Sequence, residues 1–132
     1  PWGRPDMALF DFTKNILAGK PITLFNNGDM QRDFTYVDDI VQGIGCVVDN
    51  MTPRDMYSIG RGEVVELQRF VDAIQDTLGK KAIIEYGPKH PADAKTTASD
   101  TTKLQSIGYK PETSIEEGVT NFVQWYRRHY GE

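Results

Sequence analysis

Residues 30–39 have the sequence MQRDFTYVDD, and this stretch decides how the chain is organised. It follows NNGD at 26–29, whose Asn-Gly pair is typical of a tight turn, and the short apolar segment PITLF at 21–25 precedes that turn. We therefore predict a hairpin whose two strands are PITLF and DFTYV. Arg32 then lies where the turn enters the second strand.

The residues on both sides of this hairpin predict helices. Asp6 is placed to cap a helix over MALFDFTKNILAG, which Gly19 ends. Asp38 and Asp39 are placed to cap a second helix and to charge its first turn. The second helix has one apolar face, formed by Ile40, Ile44, Val47, Val48 and Met51.

The second half of the chain continues with short strands and helices. Strands are predicted at MYSIG and AIIEY, and a strongly amphipathic helix at ELQRFVDAIQDTLG, with Gly79 closing it. After the proline-rich loop GPKHPAD and a short helix at SDTTKLQSIG, a last helix begins with the Ser-x-x-Glu capping box of Ser114 and Glu117. The fold class is therefore α/β: one small mixed α+β domain over residues 1–132, with about four helices and short strands, and without a complete Rossmann sheet.

Composition excludes several classes of protein. The 15 basic and 19 acidic side chains give a formal charge of -4, which does not suit a general nucleic-acid surface, so any anion site must be local. No apolar run approaches the roughly 20 residues that a membrane helix needs. A single cysteine and no visible signal peptide favour a cytoplasmic setting.

A search for catalytic motifs finds none. The sequence contains neither a G-x-G-x-x-G fingerprint nor a P-loop, and its two histidines, His90 and His129, are far apart without nearby cysteines. No Ser/His/Asp set can be assembled. We therefore predict neither a catalytic residue nor a metal site, and the remaining possibility is recognition of an anion and a ring.

Two residues flanking the turn suggest such recognition. Arg32 is either a surface ion-pair partner of Asp29 or Asp33, or a planar fork that matches two phosphate oxygens. Phe25 is either a core residue or a platform on which a base stacks. Asp93 is either an ordinary loop acid or an acceptor for ribose hydroxyls, and Arg4 lies in a stiff irregular segment of the kind that often carries function.

Four stretches, PWGRPDMALF, GDMQRDFTYVDDIVQGI, YSIG and DTTKLQSIGYKPETSIEEGVTNFVQWY, together resemble the C-terminal part of nucleotide-sugar epimerases of the extended short-chain dehydrogenase/reductase superfamily. The resemblance is closest to UDP-glucuronate 4-epimerases and covers almost the whole chain. It implies that Arg32 binds the diphosphate, that Phe25 and the Thr23 backbone meet uracil, that Asp93 contacts the ribose, and that Arg4 approaches the sugar.

The sequence departs from the family pattern in places. His90 stands where many relatives have Arg or Gln. It would replace the hydrogen-bond donor of those residues only if it presented a ring N–H on the side of the ligand. Ala92 stands where many have Gly. The family's Tyr-x-x-x-Lys pair and glycine fingerprint are absent, and the tyrosine of its YGP motif would precede Pro1.

The resemblance also implies partners and a cofactor. NAD would be held by a missing N-terminal Rossmann domain, a UDP-sugar would be the ligand of this part, and an isolated chain would be inactive. Exposed apolar residues such as Trp2, Met7 and Phe10 would then favour self-association or disorder at the N-terminus. The alternatives are another UDP-sugar epimerase, dehydratase or decarboxylase of the superfamily, or a binding module without catalysis.

Overall fold

A computed structural model describes residues 4–51 and 54–131. Within those residues the chain forms five α-helices, four short strands and one 3-10 turn. In chain order they are α1 (Ala8–Leu17), β1 (Ile22–Leu24), the 3-10 turn (Phe25–Gly28), β2 (Gln31–Arg32), α2 (Val37–Asp49), β3 (Val65–Glu66), α3 (Leu67–Leu78), β4 (Ile84–Tyr86), α4 (Thr102–Gln105) and α5 (Ile115–Tyr130). The predicted small mixed α/β class is confirmed, with five helices against the four or so expected.

The predicted hairpin is wrong. β1 pairs in parallel with β4, and β2 pairs antiparallel with β3, so the two predicted partners lie in different sheets. Three consecutive residues, Asn26, Asn27 and Gly28, have positive φ angles of 51°, 53° and 79°. A two-residue hairpin turn uses two such residues, and the third carries the chain away from β1. Residues 33–36 consequently have no regular structure.

The core lies where α1, α3 and α5 pack together with β1. The apolar stripe predicted on α3 is confirmed, since Phe70, Val71, Ile74 and Leu78 are buried, and Gly79 ends the helix with a φ of 67°. At the start of α5 the capping prediction also holds, because the Ser114 hydroxyl accepts the N–H of residue 117 at 3.2 Å.

The caps predicted for the first two helices are wrong. Met7 and Tyr36, not Asp6 and Asp38, hold the N-cap positions of α1 and α2. Asp39 is buried, and its carboxylate accepts two backbone N–H groups of the loop before α5, at 3.1 Å each. The Asp39 carboxylate, which the local pattern assigned to a helix cap, therefore binds a loop more than 70 residues later in the chain.

The apolar face predicted on α2 is only partly buried. The helix packs through Gly43, where an added Cβ would lie 2.8 Å from Ile59 Cγ2, so the two segments approach closely. Ile59 belongs to the predicted strand MYSIG, which has no strand pairing within the described residues. The opposite side of α2 carries an exposed apolar stripe of Val37, Val41, Ile44 and Val48, which Met51 continues just after the helix, with 51% to 72% of each residue's surface accessible.

Candidate functional site

Asp33 joins the MQRDFTYVDD stretch to two distant loops. Its Oδ1 accepts the N–H of Arg61 at 3.0 Å, and its Oδ2 accepts those of Gly62 at 3.0 Å and Ser99 at 3.3 Å. A Cβ at Gly60 would lie 2.8 Å from this Oδ2, so glycine allows the loop to approach the carboxylate. The carboxylate of Asp33, the residue after Arg32, is therefore hydrogen-bonded to backbone N–H groups.

The Arg32 guanidinium is held by backbone carbonyl groups. Nη1 donates to the carbonyl oxygens of Gln31 at 2.8 Å and of Lys95 at 3.2 Å. Asp29 pairs with the Lys95 ammonium at 2.7 Å, and this hydrogen bond raises the pKa of Lys95. Neither of the two acids considered from the sequence pairs with Arg32. In the described part of the chain Nε and Nη2 donate no hydrogen bond, which leaves one edge of the planar fork open.

Arg32 lines a cavity of about 450 Å³ bounded by α1, β1 and β2. Thr23, Phe25 and Asp93 line the same cavity, so four of the six predicted site residues come together from three separate stretches. No tyrosine, histidine, cysteine or lysine is among the described residues of its wall. The open edge of Arg32 suits an anionic group, whereas the carboxylates of Asp6, Asp11 and Asp93 on the same wall suit hydrogen-bond donors such as hydroxyl groups. The wall offers no group with an ordinary pKa near neutrality for proton transfer.

Phe25 is a cavity residue and not a core residue. It is 48% exposed, which excludes the core alternative. Gly87 lies against it, since a Cβ there would be 3.3 Å from both the Phe25 ring and the Thr23 methyl group. The ring is therefore supported by the backbone after β4 and remains accessible for stacking.

Asp93 and His90 belong to one turn but have different surroundings. The Asp93 N–H donates to the His90 carbonyl oxygen at 3.0 Å, and the Ala92 N–H donates to His90 Nδ1 at 3.2 Å. A neutral His90 therefore carries its proton on Nε2. Asp93 lines the cavity, whereas His90 is exposed and lines neither this cavity nor the larger groove beside it.

Arg4 lines that second space, an apolar groove of about 640 Å³ between α1, α5 and residues 34–37. Its Nε lies 3.8 Å from Asp6, which lines the cavity, and its Nη2 contacts the Met7 sulfur at 3.0 Å. Ala8 and Phe34 line both spaces. The structure therefore places Arg4 apart from the other site residues, in an adjoining groove.

The sequence analysis missed the contribution of α1 to the cavity. Ala8, Asp11, Phe12 and Asn15 line it, at the spacing of one helical face. The available signal was the pair of polar residues at positions 11 and 15 within an otherwise apolar stripe. Pro21, Met30, Phe34 and Leu67 complete the wall with Asp6.

The described residues contain no group of three or more His, Cys, Asp or Glu side chains that could hold a metal ion. No helix among them is long and apolar enough to cross a membrane.

Comparison with known proteins identifies the family. Residues 5–122 match the profile of the family described as GDP-mannose 4,6 dehydratase. Protein CapI of Staphylococcus aureus is 42% identical over 98% of this chain and 45% of its own length. UDP-glucuronate 4-epimerase 1 of Arabidopsis thaliana is 38% identical over 99% of this chain and 35% of its own length.

A solved structure shows the same fold. A UDP-glucuronic acid 4-epimerase variant from Bacillus cereus, in complex with UDP-4-deoxy-4-fluoro-glucuronic acid and NAD, superposes with a TM-score of 0.90 at 28% identity. The match covers 98% of this chain and 42% of that one, so the chain spans less than half of the length of these relatives. The chain belongs to the GDP-mannose 4,6 dehydratase family, and its relatives there include UDP-glucuronate 4-epimerases, as the sequence resemblance implied.

Proposed function

We propose that this chain is the UDP-sugar-binding part of an NAD-dependent enzyme that interconverts UDP-glucuronate and UDP-galacturonate at C4. The observation that carries the proposal is the cavity that Thr23, Phe25, Arg32 and Asp93 share, where one edge of the Arg32 fork has no partner among the residues that the structure describes. The relatives that match over nearly the whole chain include UDP-glucuronate 4-epimerases.

Each cavity residue has a role that its surroundings support. Arg32 binds the diphosphate through Nε and Nη2, because Nη1 is already bonded to backbone oxygens. Uracil stacks on Phe25 and meets the backbone of Thr23, and the Asp93 carboxylate accepts hydrogen bonds from the ribose hydroxyls. These contacts hold the nucleotide and do not break bonds.

The sugar extends into the adjoining groove. Cavity and groove meet at Ala8 and Phe34, so a ligand bound in the cavity can pass between them towards Arg4. The Arg4 guanidinium is largely exposed and pairs only loosely with Asp6, at 3.8 Å, so it is available to the carboxylate of a uronic acid. His90 lines neither space, so it would be a further donor to the phosphates only if its turn brought the Nε2–H to the cavity.

Catalysis requires groups that this chain does not carry. NAD, when bound by a Rossmann domain elsewhere in the intact protein, supplies hydride exchange at C4. Strong contacts to the diphosphate are remote from C4 and need not favour either epimer, so the sugar can turn while the nucleotide stays bound. The domain assignment, residues 1–132 as the substrate-binding part of a two-domain enzyme, belongs to this proposal, as does a cytoplasmic setting.

Calorimetry with UDP and the intact protein tests the nucleotide site. Arg32→Ala should weaken binding by about 1.5 to 3 kcal/mol, the value of a charge-assisted hydrogen bond. Arg128→Ala is the matched control, because Arg128 is exposed on α5 and, within the described residues, bonds only to its own helix, at 3.4 Å. Equal UDP affinity of the Arg32 variant and the unmodified protein would refute the proposal.

A second candidate is a nucleotide-sugar 4,6-dehydratase, which the description of the matched family favours. The two activities give different products from the intact protein and NAD. An epimerase converts UDP-glucuronate to its C4 epimer without change of mass, whereas a dehydratase removes water from a neutral UDP-hexose. Anion-exchange chromatography separates the two epimers and so detects epimerisation, and mass spectrometry detects the loss of water.

A further inference from the structure

Asn15 lines the cavity, and its carboxamide has no hydrogen-bond partner among the described residues. Its side chain is partly buried and makes no hydrogen bond within residues 4–51 and 54–131. Its backbone is fixed, because its carbonyl oxygen accepts the Lys20 N–H at 2.8 Å in the turn after α1. A carboxamide has two donors and an acceptor, so a ligand that supplies complementary groups would bind there with a gain in hydrogen bonds.

The position of Asn15 along the cavity determines which part of a ligand it meets. From Ala8 to Asn15 the cavity face of α1 extends about 10 Å. Its N-terminal end adjoins the groove of Arg4, and its C-terminal end lies where the chain returns through Pro21 to β1. Asn15 is therefore at the end of the cavity that Thr23 of β1 also lines, opposite the end at which the sugar leaves.

We infer that the Asn15 carboxamide recognises the base of the nucleotide, which rests on the proposed function and specifies how the ring is selected. The edge of uracil alternates a carbonyl acceptor, the N3–H donor and a second carbonyl acceptor. A carboxamide matches this edge in its own plane, by accepting N3–H through Oδ1 and donating Nδ2–H to a carbonyl. Asp11, one turn earlier on the same face, offers acceptors only and cannot make both bonds.

The test measures by calorimetry how two ligands bind to two forms of the intact protein, the unmodified protein and Asn15→Leu. The ligands are UDP and 3-methyl-UDP, which lacks the N3–H. The unmodified protein should bind 3-methyl-UDP about 10-fold more weakly than UDP, and Asn15→Leu should lower UDP affinity about 10-fold and bind both ligands alike. Pyrophosphate, which has no base, should bind both proteins equally.

Two further variants make the result interpretable. Asn15→Ala favours the helix and should behave as Asn15→Leu does, which excludes misfolding as the cause of the loss. Gln124→Leu removes an exposed carboxamide outside the cavity and should leave all affinities unchanged.

The outcomes separate this inference from the proposed function. If Arg32→Ala weakens UDP but both Asn15 variants still discriminate UDP from 3-methyl-UDP, the inference is overturned and the nucleotide site remains. An equal loss of pyrophosphate affinity in the Asn15 variants also overturns it, because the base would not be the group concerned. If Arg32→Ala has no effect on UDP, the proposed function itself fails.

Discussion

Neighbouring residues of MQRDFTYVDD have different roles because the backbone around them is irregular. Arg32 faces the cavity, Asp33 accepts backbone N–H groups of residues 61, 62 and 99, and the Phe34 ring stacks on Phe70 at 4.2 Å. The sequence correctly directed attention to Arg32. It could not show that both nearby acids have other partners, since the backbone donors to Asp33 lie 28 or more residues away and the lysine that pairs with Asp29 lies 66 residues away.

Loss of the Asp33 carboxylate should reduce stability more than loss of the exposed Asp38 carboxylate. Asp33→Ala leaves the N–H groups of Gly62 and Ser99 without their acceptor, so we expect the free energy of unfolding to fall by about 2 to 3 kcal/mol. The Arg61 N–H keeps a second acceptor, the Thr35 hydroxyl at 3.1 Å. Asp38→Ala, in the first turn of α2, should cost about 0.5 kcal/mol through the helix dipole alone. Urea denaturation followed by circular dichroism measures both, and similar losses in the two variants would show that the contacts of Asp33 contribute little.

At the scale of elements, the sequence predicted helices whose caps and apolar stripes lie within the helix. It did not predict strand pairs whose two strands are far apart in the chain. α3 and α5 were predictable because their caps and apolar stripes lie within each helix. The partners of β1 and β2 were not, because β4 and β3 follow more than 30 residues later and no turn links them. The sequence of α2 has apolar residues on two sides of the helix, and it does not show which side packs against the rest of the domain.

The two glycines of α2 should respond oppositely to alanine. Gly43→Ala places a Cβ 2.8 Å from Ile59 and 3.2 Å from the Tyr109 ring, and we expect a net loss of about 1 to 2 kcal/mol in the free energy of unfolding. At Gly45 a Cβ meets nothing within 4 Å, so Gly45→Ala should stabilise by about 0.5 to 1 kcal/mol through helix propensity. Thermal melts of both variants give the signs, and a stabilising Gly43→Ala would mean that α2 is not closely packed there.

The stripe along α2 is apolar and exposed. We propose that the remainder of the intact protein covers it, and that the 132-residue chain alone self-associates through it and through Met7, which is 51% exposed. Phe10 of the sequence prediction contacts the rings of Phe122, Tyr126 and Tyr130 instead, and Trp2 lies outside the described residues.

Charged residues on this stripe should reduce association without unfolding the chain. Val41 and Val48 are each 61% exposed, so Val41→Lys/Val48→Lys should lower the apparent mass of the chain in light scattering and leave its melting temperature nearly unchanged. An apparent mass that stays the same in the double variant and the unmodified chain would place the associating surface elsewhere.

At the scale of the whole molecule, an ion-pair network joins α3 to α5. Arg69 contacts Glu116 at 2.8 Å and Glu63 at 3.3 Å. The hydrogen bond from Arg69 lowers the pKa of Glu116 below its ordinary value of 4.5. A lowered pKa in the folded state means that the contribution is complete above pH 4.5 and disappears as the pH falls through the folded-state pKa.

Glu116→Gln should therefore be less stable than the unmodified chain at pH 7, and the difference should vanish at low pH. Urea midpoints measured from pH 7 to pH 2.5 test this dependence. Asp76→Asn is the control, since Asp76 makes no hydrogen bond or ion pair within the described residues, and its effect should not follow the same curve. A difference for Glu116→Gln that persists unchanged at low pH would exclude the ion pair as its cause.

The most direct measurement is the crystal structure of the intact protein with UDP bound. We predict diphosphate oxygens about 2.7 to 3.0 Å from Arg32 Nε and Nη2, with Nη1 still bonded to the carbonyl oxygens of Gln31 and Lys95. Uracil should stack on Phe25. A UDP molecule bound outside the cavity shared by Arg32 and Asp93, with the Arg32 fork directed away from its phosphates, would contradict the account.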